Sequence, residues 1–159
     1  MESRNLTLPA MGSCQLREFS DEDVPSLCKL EKELNLSPWS EMDFRRSLSA
    51  THHLCFGLEK QGEWLAYLVC SQILDEAELL ILGVAKHCQR RGLARTLLGY
   101  LFDDLQGRAA TVFLEVRAGN HRAIAFYESQ HFHQVGQRPG YYPHKGGRED
   151  ALLYAISLI

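Results

Sequence analysis

Three groups of residues carry side chains and spacings suited to chemistry. The first is Gln89-Arg90-Arg91-Gly92-Leu93-Ala94-Arg95, a basic, glycine-containing turn between an apolar run and a helical pattern. A helix opening there leaves main-chain N–H groups unpaired and turns the positive end of its dipole outward, a natural seat for an anion. Gly92 and Ala94 keep the backbone open to close approach, and the three arginines add charge. The plainer reading is a solvated basic turn, and the segment has neither the P-loop nor the dinucleotide glycine pattern. The second is Gly83, inside an otherwise apolar strand. Either it marks a bulge that frees main-chain groups for an extended ligand, or it is a packing glycine facing a large side chain. The third is acid–base. Glu115 stands in an apolar strand segment, where desolvation raises a carboxyl toward a useful base. Tyr127 lies seven positions after Asn120, so Asn120, Ile124 and Tyr127 share one helix face, and a phenol and an amide can meet one ligand. The competing reading is a solvent-facing Glu115 beside Arg117 and a half-buried tyrosine.

The elements that must position these groups follow from periodicity. Residues 14–19 alternate as a first strand, after a loose leader over residues 1–13. Ser20 opens a helix with Asp23 at its third position, and Val24, Leu27, Cys28, Glu31 and Leu34 keep the helical period. Ser37-Pro38-Trp39-Ser40 opens a second, short helix ending near Leu48, with Pro38 in its first turn. Strands over residues 54–59 and 64–73 flank a hairpin signal at Lys60-Gln61-Gly62-Glu63, and residues 78–84 form a strand covered on both faces. The helix after Gly92 buries Leu93, Leu97, Leu98, Leu101, Phe102 and Leu105. Residues 111–117 alternate as a strand, Asn120 caps a helix to about Gln130, and strands over 132–138 and 151–158 close the chain. This order predicts one mixed α/β domain over residues 14–159.

Composition narrows the classes. The 159 residues are 45% hydrophobic and 23% charged, and 17 Lys plus Arg against 20 Asp plus Glu leave a charge of −3. Nucleic-acid and anionic-membrane binders carry the opposite excess, so neither is an expected partner. The longest apolar stretch, Leu79 to Ala85, is far shorter than the roughly 18 residues of a membrane helix. Five cysteines without a C-x-x-C pair read as free thiols in a reducing cytoplasm. His131 and His133 share a strand face but have no acidic or thiol partner at ligand spacing, so no metal is expected.

Taken together, these segments resemble a known family. Gln89-Arg90-Arg91-Gly92-Leu93-Ala94 resembles the Q/R-x-x-G-x-G/A signature of GCN5-related N-acetyltransferases (GNATs), between the fourth strand and the following helix. Within that superfamily, several segments are similar to the ribosomal-protein-alanine N-acetyltransferases of the RimI type. They are Ser37-Pro38-Trp39-Ser40, Asp75-Glu76-Ala77-Glu78-Leu79, Leu114-Glu115-Val116-Arg117-Ala118-Gly119-Asn120, Ala123-Ile124-Ala125-Phe126-Tyr127-Glu128, Tyr141-Tyr142-Pro143 and Gly147-Arg148-Glu149-Asp150-Ala151.

The resemblance implies a GNAT fold, with a mixed sheet of about seven strands, about four helices and a bulge in the fourth strand. It implies acetyl-CoA as donor, without a metal. The backbone of Leu82, Gly83 and Val84 would pair with the pantetheine arm. Arg90, Arg91, Gly92, Leu93, Ala94 and Arg95 would hold the pyrophosphate, and Asn120 would touch the cofactor farther along. Glu115 would accept the amine proton and Tyr127 would donate to the leaving thiol. Tyr141 and Tyr142, on a loop between the last two strands, would border the acceptor groove. The implied reaction is direct acetyl transfer to a protein N-terminus, an alanine of a small-subunit ribosomal protein, by a cytoplasmic monomer or weak oligomer. The alternatives are acetylation of a small-molecule amine and a non-catalytic acyl-CoA-binding module. The chain departs from the family pattern in two places. His131 replaces the usual glycine before the aromatic, so the preceding helix is expected to end differently, and Pro139-Gly140 replaces a common polar residue before the tyrosine pair.

Overall fold

The computed structural model describes residues 2–159. In chain order the elements are β1 (Arg4–Leu8), β2 (Gly12–Glu18), α1 (Val24–Leu34), α2 (Glu41–Ser49), β3 (His53–Lys60), β4 (Glu63–Ile73) and β5 (Glu76–Val84). They continue with α3 (Leu93–Leu105), β6 (Thr111–Arg117), α4 (His121–Ser129), β7 (His133–His144) and β8 (Gly147–Ser157). The strands form a single mixed sheet in the order β1-β2-β3-β4-β5-β6-β8-β7.

The eighth strand comes from the expected leader. Residues 4–8 pair antiparallel with residues 12–16 across a tight turn at Gly12. Leu6 and Leu8 pack on the core, and burying their apolar surface holds a segment that composition alone reads as loose. Ser20 and Ser40 each form a capping box with the aspartate three residues on. Pro38 therefore lies before its helix, while the first-turn proline belongs to α1, at Pro25.

Two apolar layers cover the sheet. One packs the Leu93, Leu97, Leu98, Leu101 and Leu105 stripe of α3 on Leu16, Phe56, Leu68, Leu79 and Leu114. The other packs Val24, Leu27 and Phe44 on Trp64, Tyr67, Val69 and Ile81.

Two irregularities shape the site. Opposite Val69 and Cys70 stand Ile81 and Leu79, so Leu80 is an extra residue in β5. Ala77 and Leu79 face the α3 layer, whereas Leu80 and Ile81 both turn to the other, and the alternation restarts with inverted parity. The bulge thus lies in the expected strand (β5 here, because β1 precedes it) but at Leu80. Second, β5 and β6 pair in parallel only over residues 76–79 and 111–114 and then part, leaving one edge of residues 80–84 without a strand partner among the described residues.

Candidate functional site

The parted strands open onto two clefts that meet. One, about 700 Å³, lies between the end of β5, the start of α3 and the inner face of α4. The other, about 240 Å³, runs from the splay toward the α1–α2 loop and Tyr142. Leu82, Asn120, Ala123 and Tyr127 line both and mark the junction.

One wall of the larger cleft offers free backbone groups. Ala85 N–H donates to the opposing Leu65 carbonyl at 2.9 Å, which sets the phase of the β4–β5 ladder. Bonded and non-bonded pairs alternate, so Gly83 spends its backbone on Tyr67, while Leu82 and Val84 point theirs at the open edge. The Val84 carbonyl is already taken by the Gln89 side-chain amide at 3.0 Å. Gly83 is therefore the packing glycine of the two readings: a Cβ there would overlap Tyr67 Cζ and Oη and stand 2.7 Å from its Cε1. Its expected pairing with an extended ligand is corrected on that ground.

The turn before α3 takes the backbone geometry expected of an anion seat. Arg90 and Gly92 adopt left-handed φ of 62° and 81°, and Gly92 caps α3. The first helical bond runs from Thr96 N–H to the Gly92 carbonyl at 3.0 Å, and among the described residues the amides of residues 90–95 have no acceptor. Arg90 and Arg95 line the cleft. Arg91 does not, because its guanidinium turns back to the Ala10 carbonyl at 3.3 Å, a partner that exists only because the leader folds as a strand.

Helix α4 carries the junction. Asn120 Oδ1 caps it by accepting from Ala123 N–H at 3.2 Å, and Ala123, rather than Ile124, shares the cleft face with Tyr127. His131 sits at φ 72°, with Phe132 N–H bonded to the Tyr127 carbonyl and His131 N–H to the Glu128 carbonyl, each at 3.0 Å. This is the Schellman ending that glycine normally makes, so the helix does not end differently; histidine bears the left-handed strain. Phe132 then packs 5.5 Å from the Tyr127 ring. Burial raises the Tyr127 phenol above its ordinary range, which keeps it protonated.

The smaller cleft is built from side chains. Glu115 lines it, but the apolar setting expected for this residue is absent: Arg138 Nη2, two strands away, lies 3.3 Å from its Oε1. Tyr141 and Tyr142 lie on β7 rather than on a loop, because the last two strands extend as a ribbon to the turn before Gly147. Tyr142 lines the cleft under the Arg117 guanidinium, which stacks 4.3 Å from its ring, while Tyr141 is exposed beside Arg138.

Sequence reasoning left several neighbours unassigned. Gln89 accepts from Arg122 at 3.0 Å, joining the end of β5 to α4. Glu31, only 2% exposed, accepts from Tyr67 Oη at 2.7 Å and from Trp39 N–H at 2.9 Å, fixing the α1–α2 loop to the sheet; burial raises its carboxyl. A charged residue in the apolar helical register of Val24, Leu27 and Cys28 was the available signal.

An acetyltransferase (GNAT) family model matches residues 23–132, well over half of the chain. The chain belongs to the GNAT acetyltransferase family. This GNAT enzyme is an acetyl-CoA-dependent N-acetyltransferase. It is 41% identical over 137 residues to the [ribosomal protein bS18]-alanine N-acetyltransferase of Escherichia coli strain K12, covering 86% of this chain and 92% of that protein. It is also 34% identical over 126 residues to N-alpha-acetyltransferase RimI of Mycobacterium tuberculosis, covering 76% and 78%. The crystal structure of the E. coli ribosomal-protein-S18-alanine N-acetyltransferase superposes on the acetyltransferase with a TM-score of 0.84 at 38% identity, over 91% of this chain and 94% of that one. Arabidopsis thaliana NAA60 in complex with acetyl-CoA shares the fold, with a TM-score of 0.81 at 17% identity over 91% and 98%.

Proposed function

We propose that this acetyltransferase modifies the α-amine of a protein N-terminus, an alanine of a ribosomal protein of the bS18 type, in the cytoplasm, acting as a monomer or weak oligomer. The carrying observation is the junction: the backbone-lined cleft and the side-chain-lined cleft meet at Tyr127, with Glu115 on the far side. The relatives named above support the acceptor class.

Bound acetyl-CoA supplies an acetyl group already activated as a thioester. The unpartnered amides of residues 90–95, with Arg90 and Arg95, would hold its diphosphate. Leu82 and the Val84 N–H would pair with its pantetheine arm, and the Asn120 side chain borders its path. Glu115 takes the proton from the attacking amine, Tyr127 gives its phenolic proton to the departing sulfur, and Tyr142 borders the incoming peptide. An α-amine titrates near ~7.7–8.0 against ~10.4 for lysine, so neutralising it at pH 7 costs roughly 3–4 kcal/mol less. A carboxylate base is matched to the easier task.

The test is thiol release with acetyl-CoA and short peptides beginning Ala, Ser, Met or Lys. Preference for an α-amine on alanine or a similarly small residue is expected. Turnover confined to the lysine side chain or to free small amines would overturn the reading.

A further inference from the structure

The walls of the acceptor cleft are exposed segments with little apolar packing of their own. On one side Leu36 is 83% exposed and Ser37 and Pro38 are open to solvent; on the other Tyr141, Pro143 and His144 are exposed. Segments so poorly buried open locally unless polar bonds hold them.

One side chain reaches both. Arg117 leaves the end of β6 between the walls, and its guanidinium donates to Ser37 Oγ at 2.5 Å and to the Pro143 carbonyl at 3.1 Å. Its guanidinium carbon also lies over the Tyr142 ring, 4.3 Å from the centroid. Glu149 completes the set at 3.3 Å, its other carboxylate oxygen accepting from Gly119 N–H at 2.7 Å just before the α4 cap. The Arg117 side chain is only 10% exposed. Among the described residues no other side chain bonds to both walls. A planar guanidinium with several fixed donors can serve a hydroxyl, a carbonyl, a carboxylate and a ring at once, which a lysine ammonium cannot.

We propose that Arg117 is the positioning residue that sets the acceptor cleft, bracing the Ser37 wall against the Tyr142–Pro143 wall so that an incoming peptide N-terminus meets a slot of fixed width. The inference rests on the peptide-acceptor reading above, but the brace itself is measurable without any acceptor.

The experiment compares the wild type with R117M, R117K and S37A. Hydrogen exchange on the ligand-free proteins should show roughly tenfold faster exchange at residues 35–39 and 141–144 in R117M and R117K, with the start of α3 unchanged. S37A removes only an exposed hydroxyl, folds whatever R117M does, and should shift residues 35–39 about threefold. In parallel, KM for an alanine-starting peptide should rise about tenfold in R117M while the Kd for acetyl-CoA stays within about twofold. Unchanged exchange in both R117M and S37A overturns the brace, as does full rescue by R117K, which would assign the effect to charge beside Glu149 alone. A wild type that acetylates no N-terminal peptide sinks the acceptor reading, while the exchange result still decides the brace.

Discussion

The donor half and the acceptor half of the active cleft are made differently. The donor half takes its hydrogen-bonding groups largely from main chain, in one short run from Leu82 to Arg95: an unpaired strand edge, a left-handed glycine and a row of orphaned amides. The acceptor half is side chain, assembled from the α1–α2 loop, β6 and the β7–β8 ribbon, with bonds spanning 80, 26 and 32 residues. On the proposed reading, a ligand common to many enzymes would be held by groups that every sequence possesses, while a particular acceptor would be met by groups that can be exchanged one at a time. Substitutions should therefore separate: backbone-altering changes on the donor side, side-chain truncations on the acceptor side.

The sharpest break falls at the junction. Tyr127→Phe should lower turnover by ~10²–10⁴-fold while acetyl-CoA affinity, measured by calorimetry, stays close to wild type. Glu115→Gln should give a loss in the same range at neutral pH. Because burial raises the Tyr127 phenol, its donor form persists through neutral and mildly alkaline pH. The rate should therefore show no loss attributable to this group below about pH 10, the ordinary phenol value.

On the acceptor side, Glu31→Ala strands the Trp39 amide and the Tyr67 hydroxyl. A cost of about 2–4 kcal/mol in denaturant melts is expected, with a rise in peptide KM. Gly83→Ala forces a methyl into the Tyr67 ring, whose hydroxyl is bonded to Glu31, so it presses on the same anchor. Overpacking should cost about 1–3 kcal/mol, with peptide KM rising in the same direction as in Glu31→Ala. If Gly83→Ala leaves peptide KM unchanged while Glu31→Ala raises it, the Tyr67–Glu31 bond is not what holds the α1–α2 wall. The smallest effect is stabilising: His131→Gly relieves left-handed strain and should gain about 1 kcal/mol by thermal denaturation, with the Schellman bonds kept.

The same division explains what could be read from the sequence. The Gln89–Arg95 turn, Asn120 and Tyr127 were legible because consecutive residues and helical spacing encode them. The strand bulge was expected in the right strand, but Gly83 misplaced it, since nothing local reveals that a tyrosine sixteen residues earlier presses on that backbone. The turn of the Arg91 side chain away from the cleft was hidden for a related reason: its partner, Ala10, exists only once the leader folds as a strand. The ion pair of Glu115 with Arg138, the reach of Arg117 and the anchoring by Glu31 are long-range side-chain facts, invisible to periodicity. His131 shows the opposite failure, where a local rule predicted a change and the helix kept its ending by accepting strain.

The most direct measurement of the central claim is the crystal structure of the enzyme with a conjugate of coenzyme A and an alanine-starting peptide. The account predicts the diphosphate on the amides between Arg90 and Arg95, the sulfur within hydrogen-bonding reach of Tyr127 Oη, and the peptide leaving past Glu115 between Ser37 and Tyr142. A conjugate whose sulfur lies away from Tyr127, or whose diphosphate sits off the α3 amides, would contradict it.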